Sequence, residues 1–166
     1  MDMGRRFQIR VEGVQFDAAH FATFGGECEP LHGHSYEVAA EIDGPLSEES
    51  WVVDFVEVKS ILRGLCDEFD HRFLLQLQSR LLKIESTPGG WLIGSPSGVR
   101  YTLPASDVVA LPIDNTTAER LAEWLSEKLA KTLADRGIEN VEAVTVEVWE
   151  GPGQRASYRQ QRLPVE

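Results

Sequence analysis

Phe7-Gln8-Ile9-Arg10-Val11-Glu12-Gly13-Val14-Gln15-Phe16-Asp17-Ala18-Ala19-His20 is the stretch on which the fold turns. Apolar residues alternate with polar ones through Phe7, Ile9 and Val11. They alternate again through Val14, Phe16, Ala18 and His20, the phase slipping by one at Glu12-Gly13. Alternation of period two marks a half-buried strand, and a slip at a glycine marks a bulge within it. The pattern resumes through Tyr36, Val38, Ala40 and Ile42 and stops at the turn Asp43-Gly44-Pro45. Residues 21–31 between them are rich in glycine and acid. Two long antiparallel strands joined by a loop is the natural reading.

Downstream the period changes. Asp54 with Glu57 three residues later predicts a capping box, and Phe55, Val58, Leu62, Leu65 and Phe69 then fall on one helical face. That helix is expected to end near Asp70-His71. A second helix is announced by Thr116-Thr117-Ala118-Glu119, carries Leu121, Leu125, Leu129 and Leu133, and stops at Arg136-Gly137. Val144, Val146 and Val148 predict a strand running into Trp149-Glu150, and a further short strand is expected around 156–162. Residues 79–113 hold four short β-like runs, Leu81–Glu85, Trp91–Gly94, Val99–Leu103 and Val108–Ile113, split by proline- and glycine-rich turns. They are read as a β-hairpin excursion between the helices, with no chemistry of its own.

The chain has 166 residues, the size of one domain with a real core, so 1–166 is taken as a single unit. Its formal net charge of −11 argues against a nucleic-acid or anionic-membrane surface. No stretch approaches the roughly 18 apolar residues of a membrane-spanning helix. The first residues have no signal-peptide apolar core, and two cysteines in unlike surroundings make a poor disulfide framework, so the cytoplasm is expected.

All four histidines fall in two short motifs, His20 … Cys28-Glu29-Pro30-Leu31-His32-Gly33-His34 and Asp70-His71. Residues two apart on a strand share a face, so His32 and His34 present both rings to one point, and His20 ends the partner strand. Three neutral imidazoles suit Zn²⁺ and leave a fourth position open, the mark of a catalytic rather than a structural zinc. Cys28 reads as a fourth ligand, as an acid/base thiolate or as an inert loop residue. Cys66, beside Leu65 on the first helix, reads as core. Asp70-His71 reads as a proton-transfer pair or as an imidazole closing a helix dipole. Glu150 ends an apolar strand, as a surface carboxylate or as an acceptor for an amidine-like ligand edge.

Phe16-Asp17-Ala18-Ala19-His20, Cys28-x3-His32-Gly33-His34-Ser35-Tyr36, Val53-Asp54-Phe55, Phe69-Asp70-His71, Thr117-Ala118-Glu119 and Val148-Trp149-Glu150 follow one another in a known order. In that order the chain resembles the 6-pyruvoyltetrahydropterin synthase / 6-carboxytetrahydropterin synthase family. The resemblance covers most of the chain outside 79–113 and the tail. It implies an α+β tunnelling fold (T-fold), a four-stranded antiparallel sheet with two helices on one face. It also implies a homohexamer built as a dimer of trimers, with active sites between subunits. Carried over, the family's zinc ligands fall on His20, His32 and His34, its catalytic thiol on Cys28, and its relay pair on Asp70 and His71. Its pterin-gripping glutamate falls on Glu150, and Thr117 matches a position lining the pterin pocket.

The implied substrate is 7,8-dihydroneopterin triphosphate. The Cys-x3-His-Gly-His spacing is similar to the carboxy-type enzymes of the deazaguanine (queuosine) route, whose reaction releases acetaldehyde and triphosphate. Pyruvoyl synthesis or another pterin side-chain lyase reaction is the alternative, and a zinc- and pterin-binding oligomer without turnover is the third. The chain departs from the family pattern at Thr116 (proline in the family), Arg120 (asparagine), Gly151 (threonine) and Ser50-Trp51 (glycine-methionine), and in the length of 79–113.

Overall fold

The computed structural model describes residues 5–161. Residue 162, the end of the expected tail strand, lies outside the described residues. In chain order the elements are β1 (Phe7–His20), β2 (Thr23–Phe24), β3 (Glu27–Cys28), β4 (His32–Gly44), α1 (Phe55–Asp67), β5 (Arg72–Gln76), β6 (Lys83–Thr87), β7 (Gly90–Gly94), β8 (Arg100–Pro104), β9 (Val108–Leu111), α2 (Ala118–Asp135), β10 (Ala143–Gly151) and β11 (Gln154–Gln161).

β1 and β4 pair antiparallel from Phe7↔Gly44 to His20↔His32, and the register shifts between Val11 and Val14. The bulge falls where the alternation slipped, with Gly13 at a φ of 75° that favours glycine. β10 pairs with β4 and β11 with β10, both antiparallel, which completes the four expected strands. Two short strands extend them in parallel beyond β1, giving the order β11-β10-β4-β1-β5-β9. β5 was not foreseen.

The alternating apolar side chains share one sheet face. Val14, Phe16, Tyr36, Val38, Ile42, Val144, Val146 and Val148 are buried there against Val58 and Leu62 of α1 and the leucines of α2. Burying an aliphatic or aromatic side chain of this size stabilises by about 1.5–3 kcal/mol, so this layer is what holds the helices on the sheet. Asp54 caps α1 by accepting from the Val56 N–H at 2.8 Å. The reciprocal half of the expected box is not made, because Glu57 pairs instead with Arg136 on α2 at 3.1 Å. α1 ends at Asp67, three residues short of the expected limit.

The excursion is larger than a hairpin. β6, β7 and β8 form a three-stranded antiparallel sheet, and β9 joins the main sheet. Ile93 of β7 is fully buried in a second core with Phe21, Phe73, Leu75, Leu82 and Val108. The excursion therefore closes over the strand end that carries His20.

Candidate active site

Pairing of β1 with β4 puts His20 directly opposite His32, with His34 two residues along the same face. The Nε2 atoms of His20 and His32 are 3.2 Å apart, and those of His32 and His34 are 3.1 Å apart. Two nitrogens bound to one tetrahedral ion at ~2.0–2.1 Å stand about 3.3–3.4 Å apart, so the spacing suits a shared ion. Backbone carbonyls set the ring orientation. His20 Nδ1 lies 2.9 Å from the Thr116 carbonyl, and His32 Nδ1 lies 2.7 Å from that of Pro30. A carbonyl needs a donor, so Nδ1 carries the proton and Nε2 turns its lone pair inward. Behind His20, the Thr116 hydroxyl and the Gln76 amide both donate to the Phe21 carbonyl, at 3.4 and 2.9 Å. Burial, then the neighbouring charge of His32, pushes the His20 imidazole down to about 4. Burial thus favours the neutral form of His20.

These rings form one wall of a cleft of about 560 Å³, whose other lining residues include Glu29, Thr117, Glu119 and Glu150. That volume falls in the range of small-molecule sites. Thr117 is the N-cap of α2, accepting from the Arg120 N–H at 3.4 Å, so the positive end of an 18-residue helix faces the cleft. Burial is the main cause holding the Glu150 carboxyl above its usual range. Beneath the triad lies Tyr36, its ring stacked on Phe16 at 4.6 Å and 5.4 Å from the His34 ring. Its hydroxyl is pushed up by burial and by the charges of Glu150 and Glu29.

Two expected groups stand elsewhere. Cys28 is half-buried against the second core rather than in the cleft lining, and its thiol donates to the Glu29 carbonyl at 3.4 Å. Burial and the Glu29 charge raise its pKa. Neighbours in an extended chain point to opposite sides, so the loop that turns Cys28 to the excursion turns Glu29 to the cleft. Glu29 was missed in the sequence, although Cys28-Glu29 alternation carried the signal.

Asp70 and His71 form a well-made pair outside the cleft. His71 Nδ1 bonds Asp70 Oδ2 at 2.8 Å, and Asp70 Oδ1 accepts the Asp17 N–H at 2.8 Å. The His71 N–H donates to the Asp17 carbonyl at 2.6 Å. The Asp70 bond and charge raise the His71 imidazole, while the Asp17 amide and His71 lower the Asp70 carboxyl. The imidazole is 78% exposed.

The family model described as 6-pyruvoyl tetrahydropterin synthase matches residues 8–161. The 6-carboxy-5,6,7,8-tetrahydropterin synthase of Aquifex aeolicus is 31% identical over 137 residues, covering 81% of this chain and 77% of that protein. A Methanocaldococcus jannaschii protein bearing the same name with a provisional qualifier is 34% identical over 148 residues, covering 89% of this chain and 90% of its own. Among solved structures, a Plasmodium vivax 6-pyruvoyltetrahydropterin synthase superposes with a TM-score of 0.89 at 28% identity. It covers 95% of this chain and 99% of that one, and carries a substituted glutamate described as a catalytic residue.

Proposed function

The chain belongs to the 6-pyruvoyl tetrahydropterin synthase family of pterin enzymes, and from that premise we propose that it is a zinc-dependent 6-carboxy-5,6,7,8-tetrahydropterin synthase. The substrate is 7,8-dihydroneopterin triphosphate, converted with water to the carboxypterin, acetaldehyde and triphosphate. The observation that supports this most is the joining of the triad with Glu150 in one cleft, together with the names of the relatives at 31–34% identity.

His20, His32 and His34 hold Zn²⁺, which supplies Lewis acidity toward the substrate's side-chain hydroxyls. Glu150 accepts hydrogen bonds from the amidine-like edge of the pterin ring, and Thr117 at the head of α2 lines the ring's pocket. Glu29, on the cleft wall, moves a proton at the side-chain carbons, with Cys28 beside it as a second proton-transfer group. Asp70 and His71 act as a relay offered to the cleft of a neighbouring subunit in a homo-oligomer, a hexamer of two trimers. The test is to incubate zinc-loaded protein with dihydroneopterin triphosphate and identify products by mass spectrometry. Carboxypterin with acetaldehyde supports the reading, and pyruvoylpterin or unchanged substrate overturns it.

One observation favours a second reading, another pterin side-chain lyase. Glu29 rather than Cys28 lines the cleft, and a Pyrococcus furiosus relative 26% identical over 138 residues is named dihydroneopterin monophosphate aldolase. The same assay run on dihydroneopterin monophosphate separates the two.

A further inference from the structure

Buried polar groups in folded proteins nearly always find a partner, and each exception calls for an explanation. Among the described residues only two buried side-chain atoms lack one, the Tyr36 hydroxyl and the Gln76 carbonyl oxygen. Tyr36 is 0% exposed, so bulk water does not reach it. Leaving a phenol O–H in that state is costly to the folded protein.

Its surroundings supply the explanation. β10 and β4 pair up to Trp149↔Glu37, and Glu150 follows at the bulge between Trp149 and Gly151, close enough to Tyr36 for its charge to act on the phenol. Tyr36 is buried in the helix-covered core with its ring beside His34, and Glu150 lines the cleft together with the triad. Glu150 for its part accepts no hydrogen bond from any described residue, although it is half-buried and repelled by Glu119 and Glu29. A donor without an acceptor thus faces an acceptor without a donor.

We propose that Tyr36 is a positioning residue for Glu150. When a ligand enters the cleft, the Tyr36 O–H donates to one oxygen of the Glu150 carboxylate, which fixes its plane and leaves the other oxygen for the ligand's N–H edge. The inference rests on the pterin reading of the cleft, since it names what Glu150 is held ready for.

The test is Tyr36→Phe, which removes one oxygen and keeps the ring stacked on Phe16. Zinc content, thermal stability and the dissociation constant for neopterin, a non-reacting probe, are measured on the zinc-loaded protein. Neopterin affinity should fall about 10- to 100-fold, the scale of one hydrogen bond to a charged group, while zinc stays unchanged and the ligand-free melting temperature is equal or higher. In a Glu150→Gln background the same substitution should change affinity by less than about 3-fold, because the two residues act as one unit. Equal neopterin affinity in Tyr36→Phe and parent overturns the inference. So does a loss of zinc in proportion to the loss of affinity, or an unchanged penalty in the Glu150→Gln background. A parent protein that binds no neopterin overturns the pterin reading and the inference with it.

Discussion

At the scale of single residues, the histidines and Glu150 were legible and Glu29 was not. His32 and His34 announce a shared face by their spacing, and their pairing with His20 needs only that β1 and β4 be neighbours. Removing any one of three ligands should therefore abolish most zinc binding. Protein with His32→Ala or His34→Ala should hold far less than the about one zinc per chain expected of an open three-histidine site, as elemental analysis will show. Glu29 was hidden because a thiol beside a histidine motif draws attention, while the way a short loop turns is decided by what packs behind it. Here Cys28 turns toward Ile93, Tyr101 and their neighbours. Glu29→Gln should then lower turnover by ~10²–10⁴-fold with zinc retained, and Cys28→Ala should lower it less. The reverse order in steady-state kinetics would return the leading role to the thiol. His71 supplies the pH prediction. Its bond to Asp70 raises the imidazole pKa, so, under the proposed relay role, its neutral proton-accepting form becomes dominant only above the ordinary histidine value of about 6.5. The acidic limb of kcat/KM should lie above that value, and Asp70→Asn should move it down in pH while reducing the rate.

At the scale of elements, strands and helices that keep a period were readable, and those created by a single backbone torsion were not. β1, β4, α2 and β10 lie where the alternation or the leucine spacing put them. β5 was missed because nothing in Asp70-His71-Arg72 looks like a turn. His71 takes a φ of 57°, a left-handed conformation usually left to glycine or asparagine, and the chain reverses there straight from helix to strand. The excursion was readable as four β-like runs, but not as a cover for the main sheet. That requires knowing that Phe21 and Phe73 present apolar surface on the face without helices. Ile93 is fully buried in this second core, so Ile93→Ala should cost about 2–5 kcal/mol in a denaturant titration. A cost below about 1 kcal/mol would mean that the excursion only rests on the sheet and contributes little to holding the end of β1.

At the scale of the whole molecule, the sheet leaves edges open and the Asp70–His71 pair stands apart from the cleft. Among the described residues β11 and β9 end the sheet, and β5 pairs with β1 only at Ala18 and Ala19, so no described strand pairs with the first half of β1 on that side. Unpaired edges of this kind are a liability unless another chain covers them. The helix-free face is no apolar patch, because Arg10 and Arg155 both grip the buried Glu147, at 2.6 and 2.9 Å, so copies meeting across it meet charge. The Asp70–His71 pair is well bonded and lies outside the cleft lining of its own chain. No sequence states which cleft such a pair serves, since that depends on where a second copy docks. Mixing subunits decides it. His34→Ala removes a zinc ligand and His71→Ala removes the relay, and each homo-oligomer should be nearly inactive. If the relay acts across an interface, one cleft in a mixed assembly can draw intact histidines from one subunit and an intact His71 from the next. Random assembly of equal amounts then restores about a quarter of parental activity, because each cleft needs two independent intact contributions. If every cleft used its own His71, no mixed site would be whole and activity would stay at the level of the separate variants.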